Sequence, residues 1–200
     1  IKIFMVNEVT NKGLQEGRLQ RKMSVGGVYV ATFRQIIMRH GLIMGAVILL
    51  CLLLPGAIDA VIVGLAPLMS EPYAYVAVLP VMLVFFTVFL VFKGHKVDIT
   101  QGAWLSYLWV ISVVEELSFR LILPSLLLSP IGLIPAVILS NLLFASIHFF
   151  TLRWKFINCF GAFLGGLALS RLLNNSEDIA LVILVHWFFT FLNTPTSPKV

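Results

Sequence analysis

Long apolar stretches divided by short polar segments run along most of this 200-residue chain. Six stretches approach the roughly 20 residues that cross a hydrocarbon core about 30 Å thick, and they cover residues 41–65, 72–92, 103–128, 131–150, 156–173 and 179–192. They are apolar throughout, without regular alternation with polar residues, and this pattern favours helices over strands. The sequence therefore predicts an all-α fold, a polytopic transmembrane helix bundle with about six spans.

Composition and glycine placement divide the chain into two regions. Hydrophobic residues make up 60% and charged residues 12% of the sequence, whereas soluble domains contain about 25% charged residues. Residues 1–40 are basic and interrupted by glycines, so we expect a cytoplasmic or interfacial segment with a short interfacial helix over 28–39. Residues 41–200 form the predicted bundle. No apolar run with a signal-peptidase-like site stands at the front, so we expect no cleaved signal peptide.

Lysine and arginine are distributed unevenly between the two sides of the predicted bundle. Twelve of the 14 fall in the N-terminal segment, in the loops after the second and fourth spans or in the C-terminal tail, whereas the opposite loops contain Arg171 alone. Because basic loops tend to stay in the cytoplasm, we predict that both termini are cytoplasmic. The net charge of +5 reflects this asymmetry and attraction to anionic headgroups, so membrane lipid is an expected partner and nucleic acid is not.

Two glutamates and an arginine interrupt the third span. Glu116 and Arg120 are four residues apart, share a helix face and are expected to form a structural ion pair. Glu115 points about 100° away and stays free for proton transfer. Ionisable side chains inside a membrane are costly and are functional by default. The alternative is a structural polar cluster that locks the packing of the helices.

The fourth and sixth spans each contain a histidine on a polar helix face. Helical spacing groups Asn141, Phe144 and His148 on one face, and His186, Thr190 and Asn193 on another. Taken singly, each histidine is a hydrogen-bonded structural residue. Together with the glutamate pair, they predict one shared site built by three helices.

We assign no chemical role to the two remaining histidines or to the two cysteines. Cys51 and Cys159 lie in apolar spans outside any CxxC pattern, and we expect them to be buried small apolar residues. His40 and His95 lie in predicted polar segments, and we place them outside the candidate site.

Three patterns then resemble one known family. They are Glu115-Glu116-x-x-x-Arg120, Phe144-x-x-x-His148 and His186-x-x-x-Thr190. Over about residues 100–193 the chain resembles the CAAX protease and bacteriocin-processing family, also called the Abi family of intramembrane peptidases. That family has Asn or Asp where Thr190 stands, and Asn193 follows about one helical turn beyond Thr190.

The resemblance implies a role for each of these residues. Glu115 is the expected general base, which polarises a water molecule together with His148. His186, with Thr190 or Asn193, is expected to donate hydrogen bonds to the oxyanion. The Glu116–Arg120 pair would hold the third helix in place, since an unpaired charge there is destabilising.

Other chemistries fit the sequence less well. It has no His-Glu-x-x-His helix of the common zinc proteases, and Asp59 is the only aspartate within a predicted span. We therefore expect no cofactor. A zinc ion held by Glu115, His148 and His186 is the alternative, because two histidines and a glutamate are a known zinc-ligand set.

The predicted function is an intramembrane endopeptidase that cleaves a membrane-associated or lipidated peptide or protein with glutamate-activated water. The alternative is an inactive family member that acts as a scaffold or assembly subunit of a membrane-protein complex. A transporter or proton relay is a third class, which the lack of evident inverted repeats or paired broken helices disfavours. We expect a multi-pass protein of the bacterial plasma membrane.

Overall fold

A computed structural model describes residues 19–21 and 30–198 of the chain. Within these residues the fold is helical, and the only β-type pairing is an isolated antiparallel bridge between Gln20 and Trp154. The α-helices are α1 Phe33–Ile36, α2 Leu42–Leu52, α3 Ala57–Gly64, α4 Ala66–Ser70, α5 Pro72–Phe92, α6 Ile99–Glu116, α7 Leu123–Ile131, α8 Leu133–Thr151, α9 Phe156–Ser176 and α10 Ile179–Asn193. Two π-helical segments, π1 Ile37–Gly41 and π2 Leu117–Ile122, join α1 to α2 and α6 to α7.

Several of these helices have the length and composition of membrane spans. Among the described residues, four helices are both long enough and apolar enough to cross a membrane, namely Phe33–Leu52, Pro72–Phe92, Leu133–Thr151 and Phe156–Ser176. The apolar α10 is shorter, and the helical stretch that starts with α6 is interrupted by π2. Much of the apolar surface of these helices faces outward, since only 11% of an 18-residue apolar stretch of α5 is buried inside the bundle. The predicted all-α transmembrane bundle is confirmed, and the number of crossings stays approximate.

The first span differs from the prediction at both ends. A capping box starts the helix at Phe33, because the Thr32 hydroxyl accepts from Gln35 N and the Gln35 side chain accepts from Thr32 N. The helix ends at Leu52, and Gly56 shortly afterwards adopts a left-handed φ of 79°. The predicted span over 41–65 is therefore shifted toward the N-terminus.

This early start changes the interpretation of the preceding segment. The interfacial helix predicted over 28–39 is wrong as a separate element, because its described part from Phe33 onward is continuous with the first span. Residues 28 and 29 lie outside the described residues. The boundary predicted between 1–40 and 41–200 stays a prediction, since residues 1–18 and 22–29 also lie outside them.

The later helices lie close to their predicted positions. Helix α5 begins at Pro72 and ends at Phe92, as predicted, with Pro80 inside it. Helices α8, α9 and α10 begin within two and end within three residues of the predicted bounds. The charged third span is longer than predicted, because π2 and α7 continue directly from α6.

Aromatic packing holds α5, α6 and α10 together on one side of the bundle. Phe86 of α5 stacks on Phe191 at 4.1 Å between centroids and meets Trp187 edge to face at 4.9 Å. Trp104 of α6 belongs to the same buried cluster. Each such aromatic pair contributes about 0.5–1.5 kcal/mol beyond burial of its area. This packing fixes α6 against α10.

The two π-helical segments interrupt the helices where polar residues are buried. Each segment ends with an i→i+5 hydrogen bond, from Leu42 N to Ile37 O in π1 and from Leu123 N to Ser118 O in π2. Such one-turn π segments recur at functional sites. In π2 the Phe119 carbonyl also accepts a hydrogen bond from the Ser140 hydroxyl of α8. This contact ties α8 to the widened turn.

Candidate active site

Glu115 is the centre of a buried polar cluster. It lies in the last turn of α6 and is 3% exposed. Its Oε1 is 2.9 Å from His40 Nε2 and 3.4 Å from His148 Nε2, and its Oε2 is 3.7 Å from His186 Nε2. The structure thus brings together the three residues that the sequence placed in a shared site, and adds a fourth.

Glu116, the residue after Glu115 in α6, contacts a different set of partners. Its Oε1 lies 3.4 Å from Arg120 Nη1 and 2.5 Å from His186 Nδ1. The Arg120 guanidinium also covers the Phe144 ring, with Cζ 3.9 Å from the ring centroid. The carboxylate and the guanidinium are both buried, so loss of either would leave the other charge without compensation.

Both His40 and His148 are oriented by a hydrogen bond at Nδ1. His148 Nδ1 lies 2.9 Å from the Phe144 carbonyl, which only accepts, so Nδ1 is the protonated nitrogen. His40 Nδ1 lies 2.8 Å from Thr151 Oγ1, and that hydroxyl donates to Ile147 O at 2.7 Å. Because the Thr151 hydroxyl donates its one proton to Ile147, Thr151 Oγ1 accepts a hydrogen bond from His40 Nδ1. When both rings are neutral, the Nε2 lone pair of each therefore faces Glu115.

His40 is the site residue that the sequence analysis missed. We placed it in a polar segment, whereas it lies in π1 and is 3% exposed. The available signal was the capping box, in which Gln35 follows Thr32 by three residues and marks a helix start at Phe33. A helix that begins there contains His40.

Thr190 and Asn193 occupy less central positions. Thr190 is half-buried, and Asn193 is exposed at the last residue of α10. In the described part of the chain, neither side chain forms a hydrogen bond with the glutamates or histidines of the cluster. The structure therefore brings His186 into the cluster but leaves Asn193 outside it.

Within the part of the chain that the structure describes, the geometry offers one set of metal-ligand atoms. Ligand atoms of His40, Glu115 and His148 all lie within 4.8 Å of one another, and all three residues are buried. This set differs from the zinc alternative drawn from the sequence, which contained His186. The closest carboxylate to His186 is that of Glu116.

A glycine on α9 makes room for the buried charges. Gly166 lies against Asn141 Oδ1 and Arg120 Nη2, and a Cβ there would come within 2.6 Å of that guanidinium nitrogen. The Asn141 amide in turn donates to Val137 O at 2.8 Å and to Ser170 Oγ at 3.0 Å. Close approach of α8 and α9 at Gly166 therefore encloses Arg120.

Together these contacts define a membrane-embedded helical protein with a buried glutamate–histidine centre. Residues 99–192 match the family model described as Type II CAAX prenyl endopeptidase Rce1-like. The match covers the region that contains all three motifs, and it confirms the resemblance to the CAAX protease and bacteriocin-processing family. Searches of curated proteins and of solved structures found no match to the chain.

Substitution of Gly166 by alanine tests the close packing around Arg120. The added Cβ would displace the Arg120 and Asn141 side chains, and overpacking of this kind costs about 1–3 kcal/mol. We expect a lower thermal unfolding midpoint for the detergent-solubilised protein. Gly165→Ala is the matched control, because a Cβ at Gly165 meets nothing within 4 Å. Equal stability of the two variants would contradict this packing.

Proposed function

We propose that this protein is an intramembrane endopeptidase that hydrolyses a peptide bond of a membrane-associated or lipidated peptide or protein. The observation that supports this most is the contact of the buried Glu115 carboxylate with imidazoles from α8 and α10. The family match over residues 99–192 supports the same class of activity. Membrane lipid and a peptide or membrane-protein substrate are the partners that this function implies.

In this proposal, Glu115 is the general base. It takes a proton from a water molecule, whose oxygen then attacks the scissile carbonyl carbon, while the His148 Nε2 lone pair orients that water. The C–N bond breaks in the following step, and the proton held by Glu115 passes to the departing amine. The burial of both side chains favours this chemistry, because electrostatic interactions are stronger in a site that excludes water.

His186 is proposed to stabilise the negative charge that develops on the carbonyl oxygen. Its 13% exposed side chain lies beside both glutamates, and an N–H aimed at an oxyanion is worth about 2.7–4 kcal/mol. Thr190, one turn further along α10, supplies a hydroxyl where the family has an amide or a carboxyl group. Glu116 and Arg120 act as positioning residues that hold the α6–π2 junction.

An inactive scaffold is the second candidate function. The observation in its favour is that Thr190 stands where the family has Asn or Asp, while Asn193 is exposed and outside the cluster. In this case the buried charges would serve only to hold the helices, and the surface would bind other membrane proteins.

We also propose that both termini are cytoplasmic, in a bacterial plasma membrane. Backbone hydrogen bonds of residues 19 and 21, in the described part of the N-terminal segment, support placement of these residues beside the basic loop after α8. Arg21 N donates to Arg153 O at 2.8 Å, and Lys155 N donates to Leu19 O at 2.9 Å. Basic residues of both segments thus lie on one side of the bundle, as the positive-inside rule requires.

Glu115→Gln tests the role of Glu115 as the base. The amide keeps the size and polarity of the side chain but cannot accept the proton, so we expect a loss of about 10²–10⁴-fold in cleavage with a folded protein. The measurement compares new peptide termini in membrane fractions of cells that express either form. Glu71→Gln, at an exposed glutamate, is the control. Undiminished biological function of the Glu115→Gln protein would defeat the peptidase proposal.

Thr190→Asn separates the peptidase from the scaffold. It restores the donor found in the family, so cleavage by a peptidase should be preserved or increased. A scaffold should show no cleavage in either form, and only recovery of its partner complex should respond. Both readouts come from the same membranes, by terminus mapping and by co-purification.

Cysteine labelling tests the orientation. In a background without Cys51 and Cys159, His95→Cys should react with a membrane-impermeant thiol reagent only after the cytoplasmic side is opened. Asn175→Cys, exposed at the other end of the bundle, should react in intact cells. Reaction of the cysteine at position 95 from outside would reverse the proposed topology.

A further inference from the structure

When His40 and His148 are both neutral, three hydrogen-bond acceptors face one another in the buried cluster. The Nε2 atoms of His40 and His148 lie 2.9 and 3.4 Å from the same oxygen of Glu115. The proton of each neutral ring is engaged on the far side, at Thr151 and at Phe144. Lone pairs therefore converge with no donor between them, an arrangement that is unfavourable in an apolar interior unless a cation lies among them.

A single proton does not satisfy this arrangement. Placed between His40 and Glu115, it leaves the His148 lone pair still directed at the carboxylate. The charges of the described residues do not compensate either, because among them one guanidinium, that of Arg120, contacts the carboxylate pair, and it does so at Glu116. A divalent cation contacts all three acceptors at once. It also changes the net charge of Glu115, Glu116 and Arg120 taken together with the ion from negative to positive.

We propose that His40 Nε2, Glu115 Oε1 and His148 Nε2 bind a divalent transition-metal ion of the zinc type. Two imidazoles and a carboxylate suit Zn²⁺, and bonds of about 2.0–2.2 Å at tetrahedral angles place ligand atoms about 3.3–3.6 Å apart. The 3.4 Å distance from Glu115 to His148 falls in that range, and the 2.9 Å distance from Glu115 to His40 is shorter. The three atoms all lie within 4.8 Å, so small side-chain movements close the set.

The second shell has the arrangement typical of metal-binding histidines. Such histidines donate their other ring N–H to an oxygen acceptor, which fixes the tautomer and the direction of the lone pair. Here Thr151 Oγ1 fills this role for His40 and the Phe144 carbonyl fills it for His148. His186 Nδ1 also has an oxygen partner, the Glu116 carboxylate. Its Nε2, however, faces the other oxygen of Glu115 at 3.7 Å, and His186 is not among the residues whose ligand atoms lie within 4.8 Å of one another.

The site lies near one end of the bundle. His148 lies one turn before Thr151, the last residue of α8, and the Trp154 ring of the following loop lies 4.7 Å from the His148 ring. This end of the bundle, beside the loop that joins α8 to α9, is therefore the shortest route by which an ion would reach the site.

Bound metal would regulate the proposed peptidase, and this part of the inference rests on the proposed function. The Oε1 lone pair that coordinates the ion is no longer free to take a proton from water. Metal occupancy and water activation at this oxygen therefore exclude each other, and zinc acts as a reversible inhibitor.

Zinc binding to the full chain in detergent, after removal of metals with a chelator, tests the site without any substrate. We expect His40→Gln and His148→Gln to weaken zinc affinity more than about 10-fold, and Thr151→Val to weaken it about 10- to 100-fold through the lost second-shell acceptor. Affinity is measured by competition with a chromophoric chelator. His95→Gln, at an exposed histidine, should bind like the parent protein.

His186→Gln makes the test specific for this ligand set. We expect it to retain zinc affinity, because His186 is outside the set. Circular dichroism and gel filtration check that each variant is folded, and Thr151→Val tests the site without removal of a ligand. Parent-like zinc affinity in folded His40→Gln, or its loss in His186→Gln alone, would overturn the proposal.

Cleavage in zinc-free buffer is measured separately, so the two proposals fail independently. Cleavage without zinc affinity overturns only the metal site. Zinc binding through His40 without cleavage retains the site and removes its regulatory consequence. Inhibition by zinc that is relieved in the Thr151→Val protein supports both.

Discussion

Two adjacent carboxylates buried in an apolar helix bundle impose the constraint on which the rest of this structure depends. Neither charge is tolerated there without partners. Because neighbouring helical residues point about 100° apart, Glu115 and Glu116 cannot share one set of partners. Glu115 faces imidazoles from three other helical elements, whereas Glu116 faces Arg120 and His186. The packing of the first, fourth and last long helices around α6 satisfies both requirements.

Irregular helix geometry and a missing side chain make this arrangement feasible. His40 and Arg120 both lie in π-helical turns, where an extra residue per turn alters the direction of the following side chains. Gly166 leaves space for the Arg120 guanidinium between helices. Because π2 follows α6 directly, the turn that positions Arg120 also ends the helix that presents Glu115.

The same geometry supports both proton chemistry and metal binding. In His40 and His148 the Nδ1 atoms are held by Thr151 and by Phe144, so the Nε2 atoms converge on Glu115. A carboxylate beside oriented imidazole lone pairs is a base for water, and it is equally a ligand set for a cation. Whether Glu115 acts as a base or as a ligand depends on whether a cation is bound at its Oε1.

The sequence alone determined the all-α membrane bundle, most helix boundaries and the Glu116–Arg120 pair, because apolar length and i,i+4 spacing are local properties. Three short motifs also identified the family region. Only the tertiary structure decided that His40 contacts Glu115 and that Asn193 does not reach the cluster. Contacts between helices depend on where each helix begins and how it packs, and no spacing within a single helix determines either.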